Sequence, residues 1–344
     1  MIGEAPEHAT RLRASLFNSD LYIEEDLTYK DIVEANRCDA VFARHEIKSN
    51  LLALLKVPIF LQHESPLKHY ASLKDGVTYM TDEAYVDYYP KAKAMPQLVL
   101  DEHFPVTSYE FDVIFIGRAR VRRGFVSKLL GVLIKSEINN FGSIFDVVSS
   151  GRSAWFFAVL KVILPSRLYL KILWHCTNVI RGLRRGYIVN ELRTMSQSGV
   201  RVAVVGDAAI HDQLKEYPNI HLFGVSKWSS VKSLISRSIF TVATTPLHLS
   251  IMDCRYFEAL QCGSIPLVEP YPQYARLSKS DPDFFVFNYK ERPLSEVMKR
   301  MLSNLTNARK TYRKIREAAL LEHGKKQYID QYESLVKQYR RHGH

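Results

Sequence analysis

Five short apolar runs decide what this chain can fold into. They are FDVIFIG (111–117), VRVAVVGD (200–207), NIHLFG (219–224), SIFTVATT (238–245) and SIPLVEP (264–270). Each is dominated by Val, Ile, Phe and Ala, which suits a strand covered on both faces. Helical patterns such as SSVKSLISR and DCRYFEALQ fill the intervals between the later runs. Strand and helix in alternation call for a parallel sheet with helices on its faces. One boundary is sharp: Cys-Gly-Ser-Ile-Pro, residues 262–266, stops the DCRYFEALQ helix and restarts the chain extended.

The first third repeats the alternation more faintly. DAVFA and VPIFLQHE read as strands around an EIKSNLLALLK helix, and DGVTYMT and PQLVL as further strands flanking a helix near Glu83 to Tyr89. A polar stretch, DEHFPVTSYE, separates the two halves. The chain closes on KKQYIDQYESLVKQYRRH, a polar helix with Tyr and Leu at helical spacing. A length of 344 residues suits two domains.

The charge is local. Residues 115–190 hold 13 Lys or Arg against 2 Asp or Glu, while the rest of the chain holds 34 of each sign, so this segment carries the whole net charge of +11. Its partner is expected to be anionic: a nucleic acid, a phosphorylated ligand or an anionic membrane surface along 118–185. The same segment contains WFFAVLKVILPSRLYLKILWHCTNVI, which Lys161, Pro165, Arg167 and Lys171 interrupt too often for it to span a bilayer. Aromatic and aliphatic residues mixed with Lys and Arg suit a helix lying on a membrane, or else a helical insertion packed on the sheet. Cys38, Cys176, Cys254 and Cys262 have neither paired nor metal-ligand spacing, which points to reduced thiols. The N-terminal residues lack the apolar run of a signal peptide. The expected location is cytoplasmic and peripheral on the inner face of a membrane.

Open parallel sheets bind ligands beyond the carboxyl ends of their strands. Three loops fall there. GRARVRRG brings Gly117, Arg118 and Arg123, whose guanidinium groups suit a diphosphate. FGVSKW follows with Gly224 and Val225. TTPLHLSIMDCR leads into the helix of Arg255 and Glu258, whose N-terminal N–H groups favour phosphate. A glutamate in the first turns of such a helix can accept hydrogen bonds from sugar hydroxyls. The set describes a pocket for a nucleoside diphosphate-sugar.

These motifs resemble, in order, the donor half of GT-B glycosyltransferases, specifically the glycosyl-transferases group 1 superfamily, over about residues 111–275. Gly117-Arg118 then Arg123-Gly124 follow its Gly-Arg then Lys-Gly pattern, with arginine for lysine. VAVVGD and NIHLFGVSKWSSVKSLISRS match its next two motifs. Pro246 precedes Glu258 by the family's 12 residues, and EALQCGSIPLV matches its helix-to-strand turn. The resemblance implies an α/β GT-B-like fold with two Rossmann-like domains facing a cleft. Residues 1–108 would form a shortened acceptor domain. Residues 109–320 would form the donor domain, with a helical insertion over about 125–183. Residues 321–344 would be a helix packing back on the N-terminal domain.

The resemblance also implies roles. Glu258 would contact the donor ribose, Arg118 and Arg123 the diphosphate, and Gly224 and Val225 the base. The loop with Ser250 and Asp253 would meet the sugar and phosphate. Ser250 stands where retaining members carry a glutamate, and Asp253 where they carry a glycine. Arg255, three residues before Glu258, matches divergent members and would be a third phosphate contact. His63, at the end of VPIFLQHES, would be the general base, with Glu64 competing and His45 and Glu46 as a fallback pair. No Asp-x-Asp metal motif is found, so no metal and no cofactor are expected beyond the nucleotide-sugar donor.

The implied function is metal-independent transfer of a sugar to a hydroxyl of a glycan or lipid-linked acceptor, in membrane-associated glycan biosynthesis. An inverting fucosyltransferase- or exostosin-like enzyme shares the Arg-x-x-Glu-Ala and Gly-x-Ile-Pro pattern. A degenerate nucleotide-sugar binder is compatible with Ser250. A nucleic-acid-binding protein is the rival of another class, but the basic residues are interleaved with apolar runs and no nucleic acid is expected as partner.

Overall fold

The computed structural model describes residues 32–33, 35–37, 40–43, 53–57, 59–62, 77–81, 92–94, 108–117, 154–224, 228–244, 254–269, 284–289 and 291–341. The chain divides into two compact units. The larger takes in Val99–Leu320 and the smaller Glu4–Leu98 with Leu321–His344.

The smaller unit has a parallel sheet of β1 (Val41–Ala43), β2 (Ile59–Gln62), β3 (Val77–Thr81) and β4 (Ala92–Ala94), in that order. The first three fall inside DAVFA, VPIFLQHE and DGVTYMT. The fourth is the short segment Ala-Lys-Ala; PQLVL and the helix near Glu83 to Tyr89 lie outside the described residues. An edge strand pairs on one side only, so it carries little apolar signal of its own. The C-terminal helix, Lys325–Arg341, belongs to this unit. Its Tyr328 and Tyr332, one turn apart, pack with Phe60 of β2.

The larger unit is built on a five-stranded parallel sheet. β5 (Phe111–Gly117), β6 (Val202–Gly206), β7 (Ile220–Gly224), β8 (Ser238–Ala243) and β9 (Ile265–Val268) lie in the order β7-β6-β5-β8-β9. All five coincide with the apolar runs of the sequence. β6 and β8 are buried at every residue, as strands sandwiched between helix layers must be. β9 is an edge strand yet fully buried, because Val268 pairs onward with Val286: its N–H donates to Phe285 O (3.0 Å), and Phe287 N–H donates back to its carbonyl (2.9 Å).

Among the described residues the helices are α1 (Ala154–Ile163), α2 (Ser166–Gln197), α3 (Ala208–Leu214), α4 (Trp228–Ser236), α5 (Cys254–Gln261), α6 (Leu294–Ser303), α7 (Leu305–His323) and α8, the C-terminal helix already described. Pro165 stands at the start of α2, where its fixed φ is tolerated and its missing N–H costs nothing. The helix then runs for 32 residues, past position 183 and up to the turn before β6. Its second half buries Ile188, Leu192 and Met195, at spacings of four and three, in the main core. That half also caps α6, whose own N-cap is Pro293 and offers no side-chain acceptor. Glu191 Oε2 accepts from both the N–H (2.8 Å) and the hydroxyl (2.7 Å) of Ser295, placing a carboxylate at a helix N-terminus.

Candidate donor site at the sheet's switch point

The chain leaves β5 toward β6 on one side and returns beside β5 as β8 on the other. A parallel sheet is open to ligand where its strand order reverses, beyond the carboxyl ends of those two strands. β5 ends there on Gly117, and the loop out of β8 leads to α5.

Three glycines line up across this edge. Gly117 pairs in register with Gly206, and Gly206 with Gly224. A Cβ on Gly117 would sit 2.5 Å from the Phe115 ring, and one on Gly206 would sit 2.6 Å from the backbone oxygen of Gly117. At Gly224 a Cβ would meet nothing within 4 Å. The first two glycines are therefore required by packing. The third is exposed, and its lack of a side chain leaves open space at the strand end.

Helix α5 is held firmly at its far end. Gly263 takes φ +78°, Ser264 N–H donates back to Ala259 O (3.0 Å), and Cys262 N–H donates to Glu258 O (2.9 Å). This is the glycine-terminated stop that CGSIP predicts. α7 gives partners to two carbonyls there: Tyr312 Oη donates to Leu260 O (2.9 Å), Arg316 Nε donates to the same oxygen (3.2 Å), and Arg309 donates to Gly263 O (3.0 Å). Two arginines at a helix C-terminus also complement its dipole. Burial pushes the Tyr312 hydroxyl up to about 12, so it remains a proton donor to Leu260 across the neutral range. At the start of β9, Ser264 Oγ accepts from Thr241 of β8 (2.7 Å), both side chains buried.

With its C-terminus fixed, α5 points its N-terminus to the carboxyl side of the sheet. Tyr256, Phe257, Ala259 and Leu260 are buried, leaving Arg255 and Glu258 half-buried, three residues apart on one face. Their side chains form an ion pair, with Arg255 Nη1 donating to Glu258 Oε2; only 12% and 15% of them is exposed.

Of the expected site residues, Gly117, Gly224, Arg255 and Glu258 are described. Arg255 pairs with Glu258, and Gly117 and Gly224 share one row through Gly206. Arg118, Arg123, Val225, Ser250 and Asp253 lie outside the described residues, as do His63, Glu64, His45 and Glu46. Among the described residues no cluster of His, Cys, Asp or Glu could hold a metal ion.

Two features go beyond the sequence reading. Gly206 was visible only as part of VAVVGD. Glu269, just past β9, is buried and ion-paired at 3.3 Å to Arg184 of α2, which is equally sheltered. Tyr289 lies near the same guanidinium (6.0 Å from its ring centre) and stacks edge-on with Tyr187 at 4.5 Å. Arg184, counted within the basic segment, is thus spent inside the protein.

No protein-family profile matches the chain, and no curated protein does. Solved structures do. Sucrose-phosphate synthase from Thermosynechococcus elongatus aligns at a TM-score of 0.52 and 11% identity, over 94% of this chain and 81% of that one. A glycosyltransferase from Rickettsia africae aligns at 0.51 and 10%, over 95% and 87%. An α-glucosyltransferase in complex with UDP-glucose and DNA aligns at 0.50 and 10%, over 90% and 82%. TarM of S. aureus, at a TM-score of 0.40, is a longer chain, of which this one spans about half (48%). The fold is the α/β fold of GT-B glycosyltransferases, in a divergent sequence.

Proposed function

We propose that a chain with this fold transfers a sugar from a nucleoside diphosphate-sugar to a hydroxyl of a glycan or lipid-linked acceptor, without a metal. The observation that carries this is the Arg255–Glu258 pair. It stands on a helix anchored at its C-terminus and opening at the switch point, beyond the carboxyl ends of β5 and β8. Glu258 accepts hydrogen bonds from the ribose. Arg255, with Arg118 and Arg123 and the N–H groups of α5, stabilises the charge developing on the nucleoside diphosphate as it leaves. His63 or Glu64 takes the acceptor proton if the reaction inverts. The arginine three residues before the glutamate favours the divergent, fucosyltransferase- or exostosin-like branch. Ser250 keeps a non-catalytic binder as the second reading.

Turnover tests the proposal. The chain is incubated with a panel of UDP- and GDP-sugars and with glycan, lipid-extract and duplex-DNA acceptors, and nucleoside diphosphate release is measured. UDP-sugars come first because the α-glucosyltransferase neighbour binds UDP-glucose, and DNA is included because that neighbour was also solved with DNA. Release with one donor, lowered at least about a hundredfold by Arg255→Ala, is expected, since removing one transition-state donor costs about 10²–10³. Nucleotide binding without release from any donor moves the weight to the non-catalytic reading.

A further inference from the structure

We infer that the outward face of α1 docks on an anionic lipid surface. The helix is apolar on both sides. Phe157 is fully buried on its inner face, while Trp155, Val159, Val162 and Ile163, at i, i+4, i+7 and i+8, form one outward stripe. They are 70%, 49%, 85% and 65% exposed, and Leu168 continues the exposure into the first turn of α2. A helix that is apolar all round calls for a second apolar environment. Four large apolar side chains on one stripe, with a tryptophan among them, go beyond ordinary scattered surface residues.

Charge decides between the possible occupants. From Ala154 to Asn190 the sequence has six Lys or Arg and no Asp or Glu. Arg184 is consumed internally by Glu269, but Lys161, on the Phe157 side of α1, and Lys171 of α2 are exposed. A second copy of this chain would bring the same positive segment against itself. An anionic headgroup layer answers both features: the stripe sinks to the acyl boundary, and the net positive charge of the segment draws it to the anionic surface. Ten residues span about 15 Å, half a hydrocarbon core, so α1 lies on the surface. Among the described residues no helix is long and apolar enough to cross a membrane. The inference rests on the proposed function only for its use, which is to hold the enzyme at a lipid-linked acceptor. Vesicle binding is read without turnover, so either can fail alone.

The test is cosedimentation of the full chain with vesicles of phosphatidylcholine alone and of phosphatidylcholine mixed equally with phosphatidylglycerol. The native chain is expected to bind the mixed vesicles, to ignore the neutral ones, and to release as salt rises. Val162→Glu, at the most exposed position of the stripe, is expected to weaken binding about tenfold or more. Lys161→Glu is expected to weaken it about fivefold or more. Both variants keep the circular dichroism spectrum and nucleotide response of the native chain. Any of three results overturns the inference: no retention of the native chain by anionic vesicles, equal retention of both variants, or a dimer that Val162→Glu splits in the absence of lipid. Retention on duplex DNA instead of vesicles, lost in Lys161→Glu, overturns it as well.

Discussion

Two arginine–glutamate pairs lie in the same α/β unit, both largely out of water, and they bridge very different lengths of chain. Arg184–Glu269 joins residues 85 apart, tying helix α2 to the end of β9. Arg255–Glu258 joins residues three apart on a single turn of α5. The first links a helix to the end of a strand, and breaking a buried ion pair by removing one partner is strongly destabilising. The second lies within one turn, on a helix whose far end is held by Gly263, Tyr312 and Arg316. The second stands where a parallel sheet binds ligands, which is why it is the pair proposed to meet the donor.

The sharpest way to break the comparison is to remove one partner from each pair. Arg184→Ala should cost about 3–5 kcal/mol of unfolding free energy, the range for an orphaned buried charge. Arg255→Ala should cost under about 1 kcal/mol, since pairs at this helical spacing contribute only a few tenths. Urea denaturation followed by circular dichroism measures both. Equal losses would mean that the α5 pair is structural too.

The glycine row gives the next contrast. Gly206→Ala forces a methyl group against the Gly117 oxygen and Ile210, and should destabilise by about 1–3 kcal/mol. Gly224→Ala, with nothing within 4 Å of its Cβ, should change stability by less than about 0.5 kcal/mol. Thermal melts of the two variants, side by side, separate a glycine required for packing from one that leaves room at the strand end.

Most strands of the larger unit were legible because β5, β6, β8 and β9 are buried almost throughout, which leaves near-continuous apolar runs, and because three strands of the unit, β7 among them, end on glycine. β4 was not, since three residues, Ala-Lys-Ala, are too short to show an alternating apolar pattern. The pairing of Val268 with Val286 was also hidden: it is a single long-range bridge that local periodicity does not report. The length of α2 was masked by Gly182 and Gly186, each unfavourable in a helix by about 1 kcal/mol, and tertiary burial of Leu173, Cys176, Ile180, Ile188 and Leu192 outweighs them. Within the site, motif spacing placed Arg255 and Glu258 on one helix, but their pairing is a matter of side-chain geometry. Arg184 read as one more charge in a basic cluster, and nothing in the sequence ties it to Glu269.

The central claim is that Glu258 grips the ribose of a nucleotide donor. The direct measurement is thermal denaturation of the native chain and of Glu258→Ala with UDP, GDP and CMP. The account predicts that one nucleotide stabilises the native chain, by about 2.7 kcal/mol at a hundredfold excess over its dissociation constant. The same nucleotide should leave Glu258→Ala unshifted, although that variant melts within a few degrees of the native chain. An equal shift in both proteins, or no shift of the folded native chain with any nucleotide, would contradict it.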